Sequence, residues 1–262
     1  MRSNRRNQRE SIMNLVPVKK EQHQNIKVAA QRNLAHVENQ HIVPVTAHEY
    51  AQAATSFPVV LVKDPEAEQY RSVAMLGLEA GENLFYSDDK WQAVYVPQSI
   101  SMIPFGIGLD PEKENTLTTC IDMDSPFIGE DKEQAIFDAE GNESDYYKSV
   151  QESLGRQYEN EIMTDKFVKE LLKHDLLLEL ELNIALSSGE NKKLVGLYGI
   201  DEKKLQALSD ENILDFHKRG LFVPIHSMLG SIGQINRLAQ LRNLSSSEAK
   251  VSNIQFKAKE EA

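Results

Sequence analysis

The sequence predicts an α+β protein, with a mixed or antiparallel sheet built from β-hairpins and helices packed on it. Residues 59–63 form a continuous apolar run, and residues 71–78 alternate well enough to pair with it across a polar link, which is the pattern of a hairpin. Leu178, Leu180, Leu182, Ile184 and Leu186 alternate with Glu179, Glu181, Asn183 and Ala185, the period of a strand with one wet face. Apolar residues at spacings of three and four recur over 147–162 and again over 225–238, the period of an amphipathic helix.

The elements follow in chain order. Residues 1–12, MRSNRRNQRESI, are rich in Arg and Asn, lack periodicity and read as a disordered basic extension. One ordered region runs from 13 to 243, divisible into subdomains of about 13–130 and 131–243. Residues 244–262 carry few large apolar side chains and read as a disordered tail. Thr46-Ala47-His48-Glu49 has the spacing of a capping box and predicts a short helix over 47–55. Residues 79–82 turn the chain into Leu84-Phe85-Tyr86, and Ser87-Asp88-Asp89 turn it again before Trp91, the sole tryptophan. Trp91, Tyr95 and Pro97 form the pattern W-x-x-x-Y-x-P, whose large aromatics serve first as buried area. With Phe105 they are also the candidate binding residues. Pro104 and Pro111 bracket a strand and turn at 105–110, and 116–123 reads as a further strand.

A helix is expected from Ser144, carrying Tyr147, Val150, Leu154, Tyr158 and Ile162, with a break near Gly155. Thr164 is expected to cap a second helix that ends near His174-Asp175. Residues 187–192 turn the clear strand back into 193–198. Asp201 and Ser209 cap two helices, the latter stopping at Gly220, and Pro224 opens a last one through Gly230 and Gly233. GLEAGENL at 77–84 and GLYGIDEKKL at 196–205 each read as a strand exit ending in Gly-Leu, which raises a duplicated hairpin unit.

Composition excludes several function classes. The net charge of −11 disfavours attraction to the phosphate backbone, so no nucleic-acid partner is expected. Residues 110–165 hold 16 acidic and 4 basic side chains, which predicts a solvated acidic face. Cys120 is the only cysteine, so the chain has no intramolecular disulfide and stands on packing. No apolar stretch of a cleavable signal follows the basic start, and the region 171–186 is interrupted by Lys173, His174, Asp175, Glu179 and Glu181. A soluble, cytoplasmic protein without a transmembrane segment is expected, with signal-independent export to the cell surface as the alternative.

The candidate chemical groups each have a plain reading. Asp122 and Asp124 would share one side of a strand, yet two solvated carboxylates at a strand end explain them. Residues 138–143, DAEGNE, lack the glycine position of a calcium-binding EF-hand loop and read as a surface turn. The seven histidines show no H-x-x-x-H or H-E-x-x-H spacing, and Cys120 in an apolar strand reads as an inert buried thiol. Gly106-Ile107-Gly108 lacks the third glycine and following helix of a dinucleotide site. No metal and no cofactor are predicted.

FPVVLVKD at 57–64, GLEAGENLFYSDDKWQAVYVP at 77–97, Pro104-Phe105, DMDSP at 122–126, AIFDAEGNES at 135–144, the leucine-rich 171–178, GLYGIDEKKLQAL at 196–208 and HSMLGSIGQINRLAQL at 226–241 together resemble the bacterial SapC family. The resemblance covers about residues 15–242. One departure stands before Pro104-Phe105, where the family pattern has a basic residue and this chain has Ser101 and Met102. The resemblance implies a link to a bacterial surface layer or to peptide and amino-acid uptake, and it carries no catalytic residues. Two functions compete. The first is a non-catalytic module that binds a protein or peptide partner, with an apolar or aromatic patch near Trp91 and Tyr95. The second is an enzyme or enzyme accessory, with or without a metal, acting on amino acids or peptides, with a deep pocket where histidines and carboxylates converge.

Overall fold

The computed structural model describes residues 14–64, 68–113 and 116–259, which form an α+β fold. The predicted basic extension at 1–12 lies outside the described residues. The chain divides into two compact units, and both are discontinuous in sequence. One comprises residues 14–32 with Met102–Arg156, the other Asn33–Ser101 with residues 157–259. A single division near residue 130 is therefore corrected. Local periodicity reports which residues form a strand, whereas the units are set by which distant strands pair.

In the smaller unit, Leu117–Asp122 lies between Leu15–Pro17 and Phe105–Leu109, antiparallel to both. Lys27–Val28 lies between Ile128–Gly129 and Gln134–Ala135. The core holds Val28, Phe105, Ile121, Ile136, Phe137, Tyr147 and Leu154. The Tyr147 ring stands 5.9 Å from that of Phe105 and 6.0 Å from that of Phe137, and burial pushes its hydroxyl up to about 12. Gly108 is fixed by close approach, because a Cβ there would lie 2.7 Å from the Cys120 sulfur.

In the larger unit, six antiparallel strands run in the order Val251–Ala258, Leu177–Leu186, Asn191–Ile200, Val59–Lys63, Tyr70–Met75 and Ile42–Pro44. Both predicted hairpins are present and adjacent, joined where Leu197 and Tyr198 face Val62 and Leu61. The parallel drawn between the two Gly-Leu pairs fails. Gly77-Leu78 follows its strand, whereas Gly196-Leu197 lies inside Asn191–Ile200, with Gly196 at φ +77° where the ladder shifts register between Leu180 and Leu182. A bulge, not an exit, explains that glycine. Leu182, Ile184 and Leu186 face a core that includes Tyr50, Phe57, Phe85, Leu171, Phe216, Ile225 and Leu238.

The helices depart from expectation in two places. A single helix, Asp145–Lys173, passes through both Gly155 and Thr164. A glycine costs a helix interior only about 1 kcal/mol relative to alanine, too little to end one of this length. Thr164 caps nothing; its hydroxyl donates to the Asn160 carbonyl (2.7 Å) and accepts the Ala47 N–H (2.8 Å). The predicted last helix is two, Phe222–Ser231 and Ile235–Leu244, separated by the 3₁₀ turn Ile232–Gln234 in the glycine-containing stretch. Asp201 and Ser209 cap as expected, accepting from Lys203 and Lys204 and from Asn212, and Gly220 ends its helix at φ +69°. Among the described residues no helix is long and apolar enough to cross a membrane.

The predicted disordered tail contains Val251–Ala258, paired along Leu177–Leu186. Asn243 anchors the start of this strand, accepting the Val251 N–H (2.7 Å) and donating to its carbonyl (2.8 Å). Three apolar residues, Val251, Ile254 and Phe256, are too few to mark a strand by pattern, and the long neighbouring strand supplies the pairing. Deleting residues 250–262 is predicted to cost about 3 kcal/mol, the scale of burying these side chains. Urea unfolding checks it, and an unchanged midpoint would remove the strand from the fold.

Candidate functional site

Trp91, Tyr95 and Pro97 converge on one buried carboxylate. Glu49, only 1% exposed, accepts the Thr46 N–H (2.8 Å) and hydroxyl (3.3 Å) at Oε1, completing the predicted capping box. Its Oε2 accepts the Tyr95 hydroxyl (2.6 Å) and the Gln98 N–H (3.0 Å). The W-x-x-x-Y-x-P spacing builds the second half of this cage. Trp91 packs against Phe57 and Phe85 and donates its indole N–H to the Tyr95 carbonyl (2.9 Å), which fixes the loop that aims the tyrosine. Pro97 is buried immediately before the short helix Gln98–Ser101, whose first N–H is the one Glu49 accepts. Burial, with the hydrogen bond to Glu49 added, raises the Tyr95 hydroxyl well above the ordinary tyrosine value. Between the two aromatics, Val94 is exposed. Phe105 belongs to the core of the other unit. The structure thus brings three of the four candidate residues together within the larger unit, and the fourth belongs to the smaller one.

GLEAGENL forms a second tie. Arg242, buried on the last helix, bonds Glu82 through Nη1, Glu79 through Nη2 (2.8 Å) and the Ser247 hydroxyl through Nε (3.1 Å). Lys192 on the second hairpin also reaches Glu79 (2.8 Å), and with Arg242 it holds the Glu79 carboxyl below the usual range. Gly77 is required here, because a Cβ would lie 2.1 Å from the Glu82 carbonyl oxygen. Asn83 donates to the Val37 carbonyl (2.8 Å) and accepts the Phe85 N–H (2.9 Å).

The other candidate groups are likewise committed to local structure. Asp122 accepts the N–H groups of Asn14 (3.0 Å) and Asp124 (3.2 Å), and Asp138 accepts that of Asn142 (2.7 Å), so both acidic motifs are turns. Burial pushes the Cys120 thiol up, away from the reactive thiolate. His23 is buried, accepts the Lys19 N–H at Nδ1 (2.8 Å), and is pushed down by burial. Arg32 donates to the Ile103 carbonyl (2.6 Å), placing a basic group beside Pro104-Phe105 from a distant segment. Among the described residues no group of three or more His, Cys, Asp or Glu could hold a metal ion.

A concave feature among the described residues stands apart from these ties. An apolar groove of about 510 Å³ lies in the larger unit, walled by Leu178 and Leu180 of one strand, Met228, Leu229 and Ile232 of the helix and turn above, and Phe256 of the edge strand. Asp201, Glu202 and Lys203 form its polar rim. A Cβ on Gly199 would stand 2.8 Å from Leu180 Cδ1, so glycine lets that leucine lie along the groove. Asp201 spends its carboxylate on the helix cap (3.0 and 3.1 Å), leaving orientation of a ligand to shape and to the rim. Local motifs could not reveal the groove, whose lining comes from four segments of the chain. A weak signal was present: the leucine stripe of Leu177–Leu186 extends past Leu182 to Leu180 and Leu178, which the core leaves half-buried. A second cavity, about 480 Å³ in the smaller unit, is polar and lined by Lys19, Glu112 and their neighbours, with those two paired as a salt bridge.

A family model described as SapC matches residues 18–238. The chain belongs to the SapC family. No curated protein and no solved structure matches it. In this SapC chain the segments that most mark the resemblance, 77–97 above all, make the internal ties just described, and the groove lies outside that segment.

Replacing Tyr95 by Phe is predicted to cost about 1.5–3 kcal/mol at neutral pH, the scale of a hydrogen bond to a charged group. Because the folded Tyr95 value lies above the unfolded value of 10.0, its stabilisation is complete below that pH and is lost as pH rises beyond it. Stability should therefore fall from about pH 10 upward, less steeply in Tyr95→Phe. Denaturant melts across that range, with tyrosinate absorbance as the second readout, measure both effects.

Proposed function

We propose that this SapC protein is a non-catalytic binding module whose groove receives apolar side chains of a protein or peptide partner. The setting is the bacterial surface layer or the peptide and amino-acid uptake that the family resemblance implies. The observation that carries the reading is the groove beside Leu180, Met228, Ile232 and Phe256. Its volume, about 510 Å³, falls in the range of ligand pockets, and its walls are aliphatic and aromatic. Sites for small polar metabolites add several convergent polar groups to fix orientation. Here the polar residues stand at one rim, which suits a segment whose apolar side chains enter while its backbone stays in water. Met228 contributes a flexible thioether that adapts to more than one side-chain shape.

Displayed random peptides selected on the full chain are predicted to be rich in Leu, Ile, Met or Phe. Ile232→Trp, which fills the groove from a half-buried position, is predicted to weaken the selected peptides at least about tenfold while leaving the melting temperature within about 2 °C. Unchanged affinity in that variant, with the fold intact, would reject the groove as the binding site.

A further inference from the structure

The strand Val251–Ala258 ends the six-stranded sheet. It pairs with Leu177–Leu186 on one side and, among the described residues, with no strand on the other. Lys259 donates its N–H to the Glu179 carbonyl (2.9 Å), and Lys257, Gln255 and Asn253 stand opposite Glu181, Asn183 and Ala185. Hydrogen-bonded pairs alternate along an antiparallel ladder. The odd-numbered residues therefore turn their backbone groups inward, and Ile254, Phe256 and Ala258 turn theirs to the outer edge. Natural edges are blunted by proline, bulges, short length or several charges. This stretch has no proline, no register shift beyond Asn253 and a single charged side chain, Lys257. Asn243 already occupies the backbone of Val251, so the open stretch begins after it.

We propose that this edge pairs antiparallel with the same edge of a second copy of the chain, about a two-fold axis at Gln255. The strand is its own complement in that register. Ile254 of one copy stands opposite Phe256 of the other on the groove side of the sheet, an aromatic–β-branched pair of the favourable kind. On the other face, exposed Gln255 meets its counterpart and Asn253 meets Lys257, with no like charges opposed. An axis at Lys257 sets two lysines against each other, one at Ile254 sets Phe256 against Ser252, and one at Phe256 exchanges the two Ile–Phe pairs for a single Phe–Phe pair and leaves both Ile254 side chains against Ala258. The outward N–H and C=O groups of Ile254 and Phe256 are satisfied by the second copy. The contact is isologous and closes, so it stops at a dimer and runs the two sheets together. It does not rest on the occupant of the groove.

Sedimentation velocity of the full chain over a wide concentration range tests the proposal. A reversible dimer is expected. Gln255→Lys, at an exposed position, puts two lysines at the axis and should weaken dimerisation at least tenfold, whereas Asn191→Lys, the same charge change at an exposed site on the strand Asn191–Ile200, away from the edge, should leave it unchanged. In a Cys120→Ser background, Gln255→Cys should cross-link under mild oxidation, since facing residues of a non-hydrogen-bonded pair stand about 4.5 Å apart at Cα, within disulfide reach. A chain that stays monomeric overturns the proposal, including one that is monomeric and takes a peptide or another protein on this edge. So does a dimer that Gln255→Lys leaves intact and Gln255→Cys fails to trap. Peptide affinity in Gln255→Lys reads the groove separately, so failure of one reading does not imply failure of the other.

Discussion

The larger unit is organised around the carboxylate of Glu49. A buried charge is costly unless its oxygens are satisfied, and here four donors from two segments satisfy them: Thr46 twice, Tyr95 and Gln98. That requirement dictates the neighbourhood. The chain must leave the strand Ile42–Pro44 and begin a helical turn at Thr46, it must return after Trp91 with Tyr95 pointing inward, and a helix must begin directly after Pro97. Tyr50, one residue on, is buried against Phe167 and bonds Ser72, so the same turn also anchors the sheet to the long helix. The cage converts a polar group into a set of positional constraints on the core around Phe57, Phe85 and Trp91.

A division of labour follows. The carboxylates and the guanidinium that a search for catalytic groups would single out, Glu49, Glu79, Glu82 and Arg242, are engaged in holding loops and helices in register. Removing a partner leaves buried Glu49 or buried Arg242 uncompensated, so the identities around them are constrained by structure. The groove follows the opposite logic. Its walls are apolar, its cap carboxylate is committed to a helix, and its shape depends on Gly199 making room for Leu180. Binding through that surface needs no group of unusual reactivity.

Much of the fold was legible because it is local. The capping box, the leucine alternation of 178–186, the Asp201 and Ser209 caps and the strand at 117–122 each carry their physical cause within a few residues. What was not legible depends on distant partners. Thr164 looks like a cap until Ala47, far away in sequence, is seen to bond it, and Val251–Ala258 looks like a tail until Leu177–Leu186 lies beside it. The candidate site was legible in part. The aromatic pattern at 91–97 was conspicuous, yet nothing near it announced Glu49 as its focus, and the groove is assembled from segments around residues 178–180, 199–203, 228–232 and 256–258 that share no motif.

The central claim is that the conspicuous segment at 91–97 supports the fold while recognition occurs at the groove, and the sole tryptophan makes it directly measurable. Backbone and indole amide resonances would be followed while a selected apolar peptide is titrated into the full chain. The account predicts shifts clustered at 178–180, 199–203, 228–232 and 256–258, with the Trp91 indole N–H unmoved because it remains bonded to the Tyr95 carbonyl. Saturable shifts centred on Trp91, Val94 and Tyr95, with the groove residues silent, would contradict it.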